Sequence, residues 1–422
     1  MEKYRINPDK GMEFGIYTLG DHLPDPHTGQ RISAGERIQE IIGLAELADQ
    51  AGLDFFSVGE SHQEYFATQA HTVVLAAIAQ ATKNIKISSS STIISTSDPV
   101  RVFEDFATID LISNGRAEII AGRASRVGLF ELLGYDIRYY EELYEEKFEL
   151  LLQINKEETV DWSGKFRAPL RSAQVIPRPL TGSLPIWRAV GGHPESAIKA
   201  GHAGVPMMLA TLGGPAETFK HTIDAYREAA EESGFSPSEL PVATAGFFNV
   251  AATTQQAMEE VYPHVDKGMR KTNGQGYPQA AFMHGAQMDS VMNIGSPQQI
   301  IEKILYQHEL FGHQRYIAQM DFGGVPIDRL KRNIDLIGTE ILPAIRKYTA
   351  KNKKMVQAQC LNHLFDLYGF TFIAATKSSR SLNGISAIES NRCSTGPNSI
   401  VRVILFGTTT QLIPARLAAV AP

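Results

Sequence analysis

The 422-residue chain has two cysteines, Cys360 and Cys393, both late in the sequence. That rules out a disulfide framework or a thiolate metal centre in the body of the protein. No apolar run is long enough to span a bilayer, and Met1–Arg5 lead into polar residues instead of the apolar core of a signal peptide. We therefore expect a soluble, cytoplasmic protein with no membrane partner. Charge of one sign is also lacking: 40 Lys and Arg stand against 46 Asp and Glu, a net charge of -6. A nucleic-acid partner needs a basic footprint, so none is expected. Neither G-x-G-x-x-G nor G-x-x-x-x-G-K-[ST] occurs, which removes the usual signatures of a Rossmann or P-loop nucleotide site. Gly59-Glu60-Ser61-His62-Gln63 misses the nucleophile elbow at its last position. His308 and His313 stand five apart and would not share a helix face. No metal ligands are assigned.

From residue 12 to about 349, short β-rich runs alternate with longer helical ones. The candidate strands are 12–18, 54–58, 85–89, 117–121, 185–190, 205–209, 242–250 and 315–321. Eight βα units without a break in composition predict an α/β fold, a (β/α)8 TIM barrel with insertions. Ser33 followed by Glu36 predicts a capping box. The helix around Thr72–Thr82 is apolar nearly all round, which predicts burial on two sides, under the barrel and under either a neighbouring helix or a partner subunit. An insertion between Asn155 and Pro185 reads as extended or hairpin-like. A second, Asn273–Ser296, is glycine-rich and aperiodic and is expected to form a lid loop. Beyond Lys351 seven basic residues stand against two acidic ones and no element extends the barrel. The expected division is a barrel domain, 1–351, and an atypical tail, 352–422, outside the evolved domain.

Active sites of this fold sit at the C-terminal ends of the strands, and three such ends carry suggestive residues. Ser88–Ser91 set a row of small hydroxyls after the third strand, Ala121–Arg126 place two arginines after the fourth, and Val190–Ala197 turn from the fifth strand into a helix. In the last, Gly191 and Gly192 permit the turn, Pro194 suits a first helical position, and the N–H groups of Glu195, Ser196 and Ala197 would face an anion such as phosphate. Each segment alone reads equally well as a wet strand end, a surface ion pair or an ordinary turn.

Taken together, Ser57–His62, Ser97–Arg101, Asn114–Arg116 with Ala121–Arg123, and Pro185–Trp187 with Gly192–Ala197 resemble the luciferase-like, flavin-dependent monooxygenases. The resemblance covers about residues 12–349. It implies reduced FMN, supplied by a separate reductase, lying across the barrel mouth, and O2 used to oxidise a small organic substrate. F420 is the alternative cofactor, and a flavin-binding protein without turnover is the non-enzymatic alternative. Carried over residue by residue, Ser89, Ser90, Ser91, Arg123, Gly191, Gly192, Glu195 and Ser196 would bind the cofactor, with a cis bond at Ser90–Ser91. Glu60 and His62 would be catalytic, although Ser61 stands where bacterial luciferase has its catalytic histidine and serine is no base near neutral pH. A homodimer is implied as well.

Overall fold

A computed structural model of the chain describes residues 1–124 and 128–350. The tail at 352–422 and Arg126 therefore lie outside the described residues. Eight strands form the barrel: β1 (Glu13–Thr18), β2 (Phe55–Val58), β3 (Lys86–Ser89), β4 (Ala117–Gly122), β5 (Ile186–Val190), β6 (Met207–Ala210), β7 (Val242–Val250) and β8 (Arg315–Gln319). Each pairs in parallel with the next, and β8 returns to β1 with Glu13 opposite Arg315, so the sheet closes. Closure leaves no free edge and directs every strand's C-terminus to one mouth. The outer helices are α1 (Ala34–Gln50), α2 (His71–Ala81), α3 (Pro99–Ile112), α4 (Tyr140–Lys156), α5 (Pro194–His202), α6 (Ala216–Glu232), α7 (Thr254–Asn273), α8 (Pro297–Phe311) and α9 (Ile327–Leu336).

The strands coincide with those expected, their ends differing by a residue or two for local reasons. Pro206 has no N–H to give the ladder, so β6 starts at Met207. Asp321 lies past β8, and its carboxylate accepts a hydrogen bond from the Thr18 hydroxyl, tying the two strand ends together by side chains. The capping box is present: Glu36 N donates to Ser33 Oγ at 3.1 Å and Ser33 N to Glu36 Oε2 at 2.7 Å. Helix α2 buries Val74, Leu75 and Ile78 against the barrel and leaves Val73 69% exposed, so among the described residues of this single chain no neighbouring helix covers that part of its outer face. The first insertion is an antiparallel hairpin, Thr159–Trp162 with Leu170–Gln174. At the end of the barrel opposite the mouth, β1, β3, β4 and β8 begin around an ion cluster of the buried Glu13, Glu118 and Arg315 with the half-buried Lys86.

The segment expected as a lid has structure of its own. It contains a short helix, Gln279–Met283, and a strand, Asn293–Gly295, that pairs in parallel with β7. Val291 N donates to Gly214 O, and Phe282 and Met292 join a second apolar cluster with Tyr65, Phe247 and Phe322. None of its residues lines the cavity described below, so in this structure it flanks the mouth and does not cover it.

Lys303 on α8 holds this segment by donating to Gly285 O at 2.6 Å and to Met292 O. Burial lowers its pKa to about 7, with Asp289 pulling the other way, whereas an unfolded lysine titrates at about 10.4. Between those values the unfolded chain binds more protons, so this group makes stability rise with pH. Lys303→Met is therefore expected to destabilise more at pH 9 than at pH 7. Urea unfolding at the two pH values measures this, and equal losses would put the lysine's titration elsewhere.

Candidate active site

A cavity of about 340 Å3 opens at the C-terminal ends of the strands. Its walls include Tyr17 from β1, Glu60 and Ser61 after β2, Ser90 and Ser91 after β3, Arg123 after β4, and Gly191 after β5. The Ser90–Ser91 bond is cis, in agreement with the resemblance. Two glycines give this peptide its room. A Cβ on Gly59 would stand 2.2 Å from Ser90 O, and one on Gly122 would stand 2.1 Å from Ser91 Oγ.

Ser89 does not reach the cavity. Its hydroxyl donates to Ile120 O and accepts from Ile120 N, both at 3.1 Å, and so stitches β3 to β4 inside the sheet. Alternation along the strand explains this, since a row of serines cannot all face one side. Gly192 has φ 92° and makes the turn without lining the cavity, its carbonyl accepting from Thr222 Oγ1 at 2.8 Å.

Beyond the turn, α5 starts at Pro194 after His193, which offers no side-chain cap. The N–H groups of its first turn thus lack a capping partner from this residue. Ser196 is 6% exposed and its hydroxyl lies between two guanidiniums, 3.1 Å from Arg123 Nη2 and 3.3 Å from Arg188 Nε. A carboxylate beside a phosphate would repel it, but the Glu195 side chain points outward, 73% exposed, with Lys199 Nζ 3.9 Å away. What it can give the site is its main-chain N–H.

Arg188, Lys199 and Glu145 were not foreseen from the sequence. Arg188 is 1% exposed and grips Glu145 through two bonds of 2.9 and 2.6 Å, with Lys199 3.2 Å from the same carboxylate. Burial alone would raise the Glu145 carboxyl; Arg188 and Lys199 outweigh it and hold the group below its ordinary pKa. Arg123 lies over the Tyr144 ring at 4.5 Å, and its buried Nε makes no hydrogen bond, the closest carboxylate oxygen of Glu141 being 3.4 Å away. The only sequence signal for Arg188 is a charge within the apolar run Ile186–Val190. Three cations, two carboxylates (Glu141 and Glu145) and a helix start meet at this corner, and the cations with the free N–H groups have the chemistry that suits a phosphate-sized anion.

At the opposite wall, Glu60 lies at the centre of a polar chain. Oε1 accepts from Ile93 N at 2.7 Å, and Oε2 is 2.7 Å from His62 Nε2. His71 Nδ1 is 3.8 Å from Oε1, and its Nε2 is 2.8 Å from Thr92 Oγ1. Burial lowers the His71 pKa despite Glu60, so that ring is neutral near pH 7. Glu60 and Ser61 line the cavity while His62, at φ 51°, stands behind Glu60. Of the two residues expected to be catalytic, Glu60 lines the cavity and His62 contacts it through Glu60 Oε2.

Barrel topology, the serine pair and the cationic corner occur together, and a family model described as luciferase-like monooxygenase matches residues 12–314. The chain belongs to the luciferase-like monooxygenase family. Among relatives in this oxidoreductase family, it is 22% identical over 362 residues to the oxygenase component of flavin-dependent trigonelline monooxygenase from Acinetobacter baylyi, covering 79% of this chain and 95% of that one. Its fold resembles the monooxygenase RslO1 from Streptomyces bottropensis (TM-score 0.67, 25% identity, 79% and 99% covered). It also resembles the oxygenating constituent of 3,6-diketocamphane monooxygenase from Pseudomonas putida, solved with FMN (0.63, 20%, 79% and 98%). The F420-dependent tetrahydromethanopterin reductase of Methanopyrus kandleri shares the fold too (0.60, 20%, 79% and 99%). The family fold thus serves flavin and deazaflavin cofactors alike. Among the described residues, no helix is long and apolar enough to cross a membrane.

Proposed function

We propose that the protein is the oxygenase component of a two-component monooxygenase that binds reduced FMN from a separate reductase. The observation that carries this reading is the corner at Arg123, Arg188 and Ser196, where the buried Arg123 Nε still lacks a hydrogen bond. The residues fit the group. The two arginines, the Ser196 hydroxyl and the main-chain N–H groups of Glu195 and Ser196 would hold the phosphate, while Ser90, Ser91 and Gly191 would line the space for the ring system. When bound, reduced FMN supplies two electrons, so that one atom of O2 enters the organic substrate and the other leaves as water. Glu60 holds His62 by a 2.7 Å contact and faces the cavity. The pair is suited to keep and pass a proton at the Glu60 carboxylate, work that Ser61 cannot do. The apolar walls from Met208, Ala210 and Ala245 help exclude water from the small substrate.

Anaerobic binding of reduced FMN, FMN and F420 tests the cofactor, with reduced FMN expected tightest. Labelled O2 then tests the reaction, with one labelled atom expected in the product. Glu60→Gln is expected to lower turnover by about 10²- to 10⁴-fold, the range of general acid–base catalysis, with little change in FMN affinity. A second reading, an F420-dependent oxidoreductase, is favoured by the shared fold of the F420 enzyme; tighter binding of F420 would select it. Oxygen and reductant consumption without an oxidised product would favour the non-catalytic flavin protein.

The exposed Val73, Leu111 and Ile112 on α2 and α3 fit a homodimer through that face, which sedimentation tests. For residues 352–422 we retain the sequence reading that they lie outside the functional barrel. A cytoplasmic location follows from the same reading of the sequence.

A further inference from the structure

Away from the cavity, a second cluster of chemistry-bearing side chains joins the loop after β1 to helix α7. Asp25, His27 and His264 each offer a ligand atom, and these atoms lie within 4.8 Å of one another. His264 is 0% exposed. Its Nδ1 lies 3.0 Å from Gly323 O, a carbonyl that can only accept, so Nδ1 carries the proton and Nε2 the free electron pair. That Nε2 is buried without a hydrogen-bond partner and faces Asp25 Oδ1 at 3.8 Å. An electron pair and a carboxylate thus confront each other in a buried place, an arrangement that costs free energy unless something electron-poor lies between them.

The other two residues are oriented for the same point. His27 Nε2 lies 3.3 Å from Glu260 O, which assigns its proton to Nε2 and leaves Nδ1 free to ligate. The Asp25 carboxylate is fixed by His27 N at 2.8 Å and Thr28 Oγ1 at 3.0 Å. We propose that Asp25, His27 and His264 form a binding site for a zinc-class divalent cation, with water in the fourth position. Two imidazoles and one carboxylate suit such a metal better than Ca2+ or Mg2+, which prefer oxygen ligands throughout. Zinc bonds of about 2.0–2.1 Å place tetrahedral ligand atoms about 3.3 Å apart, so Asp25 and His264 need close only slightly. Arg329 opposes the cation, but its guanidinium is engaged with Glu260, donating to its carbonyl at 2.9 Å with the Glu260 carboxylate 3.9 Å away. Occupied, the site clamps the loop after β1 onto α7, the helix leading into the segment that flanks the mouth.

The test uses the full chain, stripped of metal with a chelator and titrated with Zn2+ by calorimetry and with Co2+ by visible absorbance. One equivalent of high-affinity binding is expected, with the intense visible bands of low-coordinate cobalt. His27 is exposed, so His27→Ala is expected to fold and to weaken Zn2+ binding at least about tenfold. Asp25→Asn is expected to weaken it as well. Zinc should raise the melting temperature of the wild type and not of His27→Ala. Comparing variants separates this site from the other histidines and from Cys360 and Cys393. Absence of stoichiometric binding, or equal binding by wild type and His27→Ala, would overturn the proposal and leave a water between Asp25 and His264.

Discussion

Replacing Arg188 with alanine is expected to weaken reduced-FMN binding by about 10- to 100-fold. A hydrogen bond to a charged group contributes about 1.5–3 kcal/mol, and about 1.4 kcal/mol is a tenfold change in affinity. Two effects act in one direction. The variant loses a 1%-exposed guanidinium beside Ser196, and it leaves the Glu145 carboxylate, formerly held at 2.6 and 2.9 Å, with Lys199 at 3.2 Å and Arg123 at 3.8 Å as its remaining cations, so more negative charge stands next to the phosphate. Arg188→Lys keeps the charge but not the planar fork, so an intermediate loss is expected. Arg123→Ala and Ser196→Ala should weaken binding too. Anaerobic titration measures all four, with the unfolding midpoint of each checking that the barrel persists. Unchanged affinity in the Arg188 and Arg123 variants would move the phosphate to another part of the mouth.

The barrel was legible because its information is local. Unbroken apolar strands, the Ser33–Glu36 box and the glycine after α1 each act within a few residues of themselves. Half of the cationic corner was legible for the same reason, since a turn followed by Pro194 announces a helix start wherever the chain goes. Arg188 was not. Its neighbours in sequence are apolar, and its role comes from Glu145 on α4 and Ser196 on α5, brought together only when β4 and β5 pair. Ser89 failed in the opposite sense, because a run of serines does not say which hydroxyl points along the strand end and which into the ladder. Glu195 and His62 depended on side-chain direction, which spacing leaves open: the first turns to solvent and the second stands behind Glu60. The metal-ligating trio is less legible still, with two residues in one loop and the third on a helix more than half the barrel later in the chain.

Arg315→Met is expected to destabilise the fold by about 3–5 kcal/mol, the cost of breaking a buried ion pair from one side. Arg315 and Glu118 are both 0% exposed. The guanidinium donates to Glu118 at 2.8 and 3.2 Å and to Glu13 at 2.8 Å, and it lies over the Phe55 ring at 4.2 Å. Burial by itself would raise the Glu118 carboxyl; Arg315 and then Lys86 reverse this and hold it below the ordinary value. In the wild type Glu118 thus contributes stability that is present above the unfolded pKa of about 4.3 and lost as pH falls through the lower folded value. Without Arg315 the buried carboxyl keeps the Trp187 Nε1 hydrogen bond at 3.1 Å and the charges of Lys86 and Arg5 but loses its main counter-charge, and its folded pKa should rise above the unfolded one. The destabilisation should therefore grow from pH 5 to pH 8, as the unfolded chain releases a proton the folded variant retains. Glu118→Gln added to Arg315→Met should recover part of the loss, because it removes the stranded charge. Guanidinium unfolding of the single and double variants at the two pH values reads the difference. A double variant as unstable as the single one would show that Arg315 acts through packing against Phe55 and Trp187 and not through charge.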